Sequence, residues 1–304
     1  MEHNYVLTMD IPETLARKYG VWQALENRWL NEALDNLQER FIVRFQREIL
    51  DCAPLIVRVT NVMAVQISDA VDKMKAKVGN QLVVGLDKIY DPRADFYLEI
   101  TRETNPLKPN ESVVTNRFGA LPIDAQFSAL RRAVILRSAE NEKAGIEDGG
   151  VIITDVGGFE GSTLKMLNLE LSKRGIPISG VILGIMPEGN VDKVKELFGD
   201  RVQILNPTRM YEWVELRDFF LIDGRKAPDI YSEDGIRRYI PYTENLRGWA
   251  SIRNERVDAC VAMCKENYSA TTELLRQIGV DVKRTIGEFV SINQAPPMKM
   301  RSTD

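Results

Sequence analysis

Residues 154–163, Thr-Asp-Val-Gly-Gly-Phe-Glu-Gly-Ser-Thr, combine two carboxylates with three glycines and the adjacent hydroxyls of Ser162 and Thr163. Glycines let the backbone approach an anion closely, and the hydroxyls of Ser162 and Thr163 are donors where a helix begins. Each interaction with a helix terminus contributes about 0.3–1 kcal/mol, so several donors must converge to hold a phosphate firmly. The segment therefore predicts a site for a phosphorylated ligand. The plainer alternative is a tight turn with a hydroxyl N-cap.

The segments on both sides of this turn predict how it is positioned. Residues 151–153 are a β-branched run typical of a buried parallel strand. Leucines at steps of three and four mark one face of a helix over residues 164–171, and residues 180–183 supply a second strand. In such βαβ units ligands bind outside the carboxyl ends of the strands, where Asp155 lies. The glycine pattern is neither a P-loop nor a dinucleotide fingerprint.

This βαβ unit resembles the type I phosphoribosyltransferases, whose signature is an apolar run, two acidic residues, a short loop and Thr-Gly-x-Thr before a helix. Residues 151–153, 155–156 and 160–163 stand in those places, and the following helix and strand are also similar. The resemblance implies that Asp155 is catalytic, holds the ribose hydroxyls of phosphoribosyl pyrophosphate and binds magnesium. The 5-phosphate loop that it implies consists of Gly157, Gly158, Glu160, Gly161, Ser162 and Thr163.

Basic residues elsewhere extend the resemblance. Lys88 and Arg93 follow a short predicted strand, in a place similar to the pyrophosphate loop of the family. Residues 103–116 contain prolines and asparagines without apolar periodicity, which predicts a long mobile loop. This loop resembles the mobile catalytic flap of the family. The catalytic residues that the flap implies are Arg102 and Lys108.

The segment over residues 213–230, "WVELRDFFLIDGRKAPDI", is similar to the base-binding segment of purine phosphoribosyltransferases. The resemblance implies that an aromatic ring stacks on the base and that an aspartate lies near the metal. The candidates are Trp213, Phe219 and Phe220 for the base and Asp223, with Asp155, for magnesium. Core packing is the alternative explanation for the aromatic residues.

Composition narrows the possible chemistry. Apolar residues make up 44% and charged residues 28% of the 304 residues, which indicates a globular protein. The net charge of −4 provides no general basic surface, so nucleic acid is not indicated as a partner. The only histidine is His3, which argues against a histidine base. The odd number of three cysteines and the lack of a recognisable signal peptide predict a cytoplasmic protein. The apolar runs are all too short to predict a membrane-spanning helix.

The chain as a whole predicts an α/β fold, in which a parallel-sheet, phosphoribosyltransferase-like Rossmann-type core carries N- and C-terminal helical additions. Apolar residues at steps of three or four predict a helical arm over residues 12–52. The arm is expected to pack on the rest of the chain or on a copy of itself, and a homo-oligomer is expected. The predicted regions are residues 1–78 (arm and start of the core), 79–232 (core), 233–292 (C-terminal helices) and 293–304 (disordered tail).

Three functions follow from these features. The first is pentosyl transfer with magnesium, in which phosphoribosyl pyrophosphate donates its phosphoribosyl group to a nitrogenous base. The second is a catalytically silent protein of the same fold that senses a nucleotide and acts through a partner, favoured by Thr154 in place of the first acidic residue. The third is an ATP-dependent phosphotransferase, because residues 155–158 also resemble the phosphate motif of actin and sugar kinases. This function ranks last, because such proteins need a second copy of that fold and too little chain remains after residue 150 to form one.

Overall fold

The computed structural model describes most of the chain as two compact units. The first unit comprises His3–Val57 and Glu212–Asp304, and the second comprises Arg58–Tyr211. The predicted core over residues 79–232 overlaps most of the second unit, and its boundaries stay predictions. The described residues are 5–50, 55–58, 63–105, 108–116, 120–145, 150–158, 161–209, 212–216, 220, 229–231, 237–239 and 253–280.

From Ile123 to Thr208 in the second unit, the described helices and strands alternate. The described strands are β1 (Tyr5–Met9), β2 (Leu55–Arg58), β3 (Leu82–Gly85), β4 (Phe96–Tyr97), β5 (Ile100–Asn105), β6 (Lys108–Asn116), β7 (Val151–Gly157), β8 (Ile178–Pro187), β9 (Val202–Thr208), β10 (Glu212–Glu215), β11 (Asp229–Tyr231) and β12 (Arg237–Tyr239). The described α-helices are α1 (Ile11–Glu13), α2 (Gln23–Glu26), α3 (Arg28–Glu48), α4 (Ala64–Val78), α5 (Ile123–Lys143), α6 (Ser162–Ser172), α7 (Val191–Phe198) and α8 (Val257–Gln277). Among the described helices, none is both long and apolar enough to cross a membrane.

The second unit is built on a five-stranded sheet with the order β4-β3-β7-β8-β9. Every neighbouring pair in it is parallel. Val84, Ile153, Val181 and Val202 lie in one row across four strands. Such apolar strands are typical of parallel sheets that are covered on both faces. The predicted parallel α/β core is confirmed, and its membership of the phosphoribosyltransferase fold stays a prediction.

Helices cover both faces of this sheet. Side chains of α5, α6 and α7 share one buried cluster with Val181 and Leu183 of β8. A Cβ atom on Gly180 or Gly184 of β8 would instead meet Met74 or Met63, at the two ends of the α4 segment. Because alternate residues of a strand face opposite sides, α4 lies on the face opposite α5, α6 and α7.

An antiparallel ribbon replaces the loop predicted over residues 103–116. Strands β5 and β6 pair with each other, with Thr101 opposite Thr115 and Arg102 opposite Val114. The prediction of a loop was wrong because it weighed the prolines and asparagines more than the β-branched residues. β-branched side chains fit a pleated ribbon well and favour strands.

The first unit contains β1 between β10 and β2, with β1 and β10 parallel. Apolar residues of α3 and α8 share its buried core. The segment predicted as a helical arm is helical over most of its length, and it is divided into α1, a π-helical turn at Thr14–Lys18, α2 and α3. One break lies at Gly20, whose φ of 72° is in the left-handed region. Asn27 is the N-cap of α3, because its side chain accepts a hydrogen bond from the amide of Leu30.

Candidate functional site

The strand order of the second unit defines a switch point between β3 and β7. The chain leaves β3 toward β4 on one side, whereas β7 continues to β8 on the other. In open parallel sheets the crevice for ligands lies outside the carboxyl ends of the strands at such a reversal. Gly85 ends β3, and Asp155 and Gly157 lie at the end of β7. The predicted glycine turn and the predicted basic loop therefore leave the sheet at the same point.

The glycine turn is held by close packing. Gly161 has φ +73° and is the N-cap of α6, and a Cβ atom there would lie 2.7 Å from Val194 Cγ2. A positive φ and this close approach of α7 both require glycine at this position. The helix that follows begins with the half-buried Ser162 and Thr163. Its first turn presents backbone N–H groups without intrahelical acceptors.

Gly158 contacts the neighbouring strand β8. Its amide donates a hydrogen bond to the carbonyl of Ile185 at 3.0 Å, and a Cβ atom there would lie 3.1 Å from Leu183 Cδ1. That amide is engaged by the protein, so a phosphate at this turn would rely on the first turn of α6. Gly157 continues β7, paired with Ile185 of β8. Glu160 lies outside the described residues.

The loop after β3 is organised by a buried aspartate. Asp87 accepts hydrogen bonds from the amides of Ile89 at 2.8 Å and Tyr90 at 3.4 Å. The loop turns tightly around this carboxylate and leaves the side chains of Lys88 and Arg93 exposed. Lys88 Nζ lies 5.7 Å from the centroid of the Tyr97 ring. The two predicted pyrophosphate-binding residues thus belong to one ordered loop.

A second buried aspartate, Asp91, joins this loop to β7. Its Oδ2 atom accepts a hydrogen bond from the hydroxyl of Thr154 at 2.5 Å, and its Oδ1 atom accepts one from the amide of Arg93 at 3.3 Å. Burial raises the pKa of the Asp91 carboxyl, and the hydrogen bond from Thr154 and the contacts with Arg93 counter that shift in part. Thr154 is fully buried and precedes Asp155, so Asp91 fixes the basic loop to the strand that carries Asp155.

Sequence reasoning missed Asp91 as a member of the site. Its partner Thr154 is 63 positions away along the chain, and no local periodicity connects the two residues. The only local sign of a special role for Asp91 was the turn-forming dipeptide Asp91-Pro92. Such a dipeptide predicts a turn, but it does not predict which distant residue the turn contacts.

The remaining predicted site residues lie elsewhere. Arg102 lies in β5 opposite Val114, and Lys108 lies in β6 opposite Asn105. Trp213 lies in β10 of the first unit, opposite Val6 of β1. Their catalytic and base-binding roles stay predictions. Phe219 and Asp223 lie outside the described residues.

Phe220 belongs to the core of the first unit. The residue is fully buried, and its ring meets that of Phe41 edge to face with 5.5 Å between centroids. A ring without exposed surface cannot stack on a base in this arrangement. Core packing explains its aromatic character.

Magnesium would need most of its ligands from the substrate. Among the described residues no group of three or more histidine, cysteine or acidic side chains is arranged to hold a metal ion. Asp155 is half-buried at the strand end and is the one predicted metal ligand that the structure describes. Magnesium is commonly bound by one or two carboxylates together with substrate phosphates, and a single carboxylate beside the glycine turn fits that pattern.

Comparison with known proteins gives no match: no family model, no curated protein and no solved structure corresponds to this chain.

Proposed function

We propose that the second unit binds a phosphoribosyl pyrophosphate at the switch point between β3 and β7 and transfers its phosphoribosyl group to a nitrogenous base. The observation that supports the proposal is the hydrogen bond between Thr154 and Asp91, which joins the loop after β3 to β7, the strand that leads into the glycine turn. One loop carries Lys88 and Arg93, and the other leads through Gly161 into α6. A ligand with a phosphate at one end and a pyrophosphate at the other has the charge distribution that suits such a pair of loops.

Each part of the site has a role in this proposal. The amides of the first turn of α6 and the hydroxyls of Ser162 and Thr163 donate hydrogen bonds to the 5-phosphate. The carboxylate of Asp155 accepts hydrogen bonds from the ribose hydroxyls. The cations of Lys88 and Arg93 hold the pyrophosphate, where Lys88 acts as a point charge and Arg93 offers a planar fork of donors.

The reaction replaces one bond to the anomeric carbon with another. The bond between that carbon and the pyrophosphate oxygen breaks, and the electron pair leaves with the pyrophosphate. A nitrogen lone pair of the base forms the new bond, after which the nitrogen releases its proton. Positioning and charge stabilisation supply most of the catalysis in such a step, so it needs no histidine. Magnesium, when bound, neutralises charge on the leaving group.

Calorimetry tests the proposal. Wild-type protein is titrated with phosphoribosyl pyrophosphate, with ATP and with nucleoside monophosphates, each in the presence of magnesium. We expect phosphoribosyl pyrophosphate to bind, and the double substitution of Lys88 and Arg93 by alanine to weaken that binding at least tenfold, or about 1.4 kcal/mol. The matched control replaces Lys73 and Lys77, two exposed lysines of α4, by alanine. Binding of ATP alone would favour phosphotransfer and contradict the proposal.

A catalytically silent sensor is the second candidate. Its supporting observation is that Thr154, in place of the first acidic residue of the signature, is fully buried and donates its hydroxyl to Asp91. The strand end then retains Asp155 as its only carboxylate. Release of pyrophosphate from bound phosphoribosyl pyrophosphate, measured with a panel of purine and pyrimidine bases, separates the candidates. Tight binding without release for any base would favour the sensor.

A further inference from the structure

The buried side chain of Gln126, near the start of α5, lies at the base of the β5–β6 ribbon. Its Oε1 atom accepts a hydrogen bond from the amide of Glu99 at 2.8 Å. Its Nε2 atom donates to the carbonyls of Glu99 at 3.2 Å and Leu121 at 2.7 Å. A glutamine amide has one carbonyl oxygen and two N–H donors, so all of these groups are engaged. Glu99 directly precedes β5, and Leu121 lies between β6 and α5. One side chain therefore holds the chain on both sides of the ribbon.

Glu99 forms the corner at which the chain turns from the five-stranded sheet into the ribbon. The amide of Leu98 donates to the carbonyl of Gly85 at 3.0 Å, which continues the pairing of β4 with β3. The amide of Ile100 donates to the carbonyl of Leu98 at 3.0 Å and closes a three-residue turn around Glu99. Leu98 and Ile100 are buried in the core of the unit. At the corner, Gln126 satisfies both backbone polar groups of Glu99 in place of a neighbouring strand.

The same corner ends the segment that begins with the basic loop of the candidate site. The amide of Leu86, at the start of this loop, donates to the carbonyl of Thr154 in β7 at 2.9 Å. The loop then carries Lys88 and Arg93 and passes through β4 to Glu99. Strand β6 of the ribbon contacts α6, the helix that begins at the glycine turn. The ribbon and the basic loop therefore share one anchor beside the candidate site.

We propose that Gln126 is a positioning residue of the switch-point site, because its amide fixes the base of the ribbon and the end of the basic loop relative to α5. This inference rests on the proposed function, since the ligand whose binding it supports is phosphoribosyl pyrophosphate. Gln126 acts through the backbone of Glu99 and through the loop that precedes it. Loss of the amide leaves two carbonyls and one N–H group without these partners, so the corner loosens. A loosened loop holds its cations in a less preorganised arrangement.

Hydrogen–deuterium exchange tests the anchor without any ligand. Gln126→Met keeps an unbranched side chain but removes the three hydrogen bonds, so the amides of Glu99, β5 and β6 should exchange about tenfold faster. The amides of β7 should keep their wild-type rates. Gln126→Glu retains the acceptor for the Glu99 amide and should restore the protection of that amide alone. A folded Gln126→Met variant whose ribbon exchanges as slowly as in wild type overturns the proposal.

A second buried amide of α5 provides the matched control. Asn141 lies near the other end of the helix and donates to the carbonyl of Asn80, before β3 begins, at 3.2 Å. Asn141→Leu removes this hydrogen bond and should leave exchange in the ribbon unchanged. Thermal melts show whether each variant is folded. If Gln126→Met does not fold, Gln126→Glu replaces it, because it loses both donated hydrogen bonds, and unchanged exchange of β6 in that variant overturns the proposal.

Calorimetry with phosphoribosyl pyrophosphate and magnesium tests the link between the anchor and the site. Gln126→Met should lower the affinity about tenfold, whereas Asn141→Leu should leave it unchanged. Equal affinity of Gln126→Met and wild type, together with a loosened ribbon, would show that the anchor does not position the site. Absence of binding by the wild type would contradict the proposed function and this link, whereas the exchange measurement decides independently whether Gln126 holds the ribbon.

Discussion

The hydroxyl of Thr154 donates a hydrogen bond of 2.5 Å to the Oδ2 atom of Asp91, and both residues are buried. This contact connects the loop after β3 with the end of β7, at the point where the strand order reverses. The carbonyl of Asp91 also accepts a hydrogen bond from the hydroxyl of Tyr97 at 2.8 Å. The basic loop is thereby joined to two strands of the sheet, which is a suitable frame for a binding site.

Loss of the Thr154 hydroxyl should destabilise the second unit. Thr154→Val keeps the shape of the side chain but leaves the buried Asp91 carboxyl without one of its donors, at a cost of about 1–3 kcal/mol. Thr154→Ser keeps the hydroxyl and should recover most of that loss. Denaturant unfolding of the three proteins measures the difference. Equal stability of Thr154→Val and wild type would show that the contact does not contribute.

The stability of the protein should depend on the ionisation of Asp91. Burial raises the pKa of this carboxyl, so the folded chain binds its proton more tightly than the unfolded chain. Its contribution to stability is therefore complete below the ordinary aspartate pKa of about 3.9 and is lost as pH rises through the raised value. Asp91→Asn is neutral at every pH and can still accept the hydrogen bond from Thr154.

We expect the free energy of unfolding of Asp91→Asn to rise relative to wild type with pH, with a slope of at most about 1.4 kcal/mol per pH unit. Denaturant titrations between about pH 4 and pH 8 measure this difference. Asp69→Asn, a substitution of an exposed aspartate of α4, is measured in parallel as the control. A pH-independent difference between Asp91→Asn and wild type would contradict the raised pKa.

Local sequence patterns predict the centre of the second unit well. Residues 151–153, the leucines of α6 and the strand that follows them all have the periodicity of the element that they form. The glycine at position 161 was recognised as part of a special turn, although the structure adds the reason, which is the close approach of Val194. Strong periodicity and turn chemistry are local properties, so they can be read from one sequence.

Contacts between distant segments were not predictable in this way. The amide of Gly158 donates a hydrogen bond to the carbonyl of Ile185 in the neighbouring strand. The segment with Trp213 and Phe220 continues directly from the core in sequence, yet it belongs to the first unit. Tertiary pairing of β10 with β1, near the other end of the chain, decides that placement. Composition and periodicity contain no information about such pairings.

Substitution of Gly161 should disrupt the turn that leads into α6. Gly161→Ala forces a residue with a Cβ atom to adopt φ +73° and places that atom 2.7 Å from Val194 Cγ2. The strained backbone and the clash together should cost about 1–3 kcal/mol and lower the affinity for a phosphorylated ligand. Gly189→Ala is the control, because its Cβ atom would meet nothing within 4 Å. Melting temperatures and calorimetric titrations of both variants provide the measurement.

A second variant separates the two causes of that loss. Val194→Ala in the Gly161→Ala background removes the clash with Val194 but leaves the strained backbone, so it should recover only part of the stability. If Gly161→Ala alone were as stable as wild type and bound phosphoribosyl pyrophosphate equally well, the turn would be unimportant for both.

The substitution Asp155→Asn tests the assignment of the ribose-binding carboxylate. Asp155 lies half-buried at the carboxyl end of β7, beside the switch point, where a side chain contacts a ligand more readily than the core. Replacing the carboxylate by an amide weakens its hydrogen bonds with ribose hydroxyls, and bonds to charged groups contribute about 1.5–3 kcal/mol each.

We expect the affinity of Asp155→Asn for phosphoribosyl pyrophosphate to fall at least tenfold while the melting temperature stays within experimental error. Asp192→Asn, an exposed aspartate at the start of α7, should change neither quantity. A lower melting temperature with unchanged affinity would assign Asp155 to the turn, and no change in either would remove it from the site.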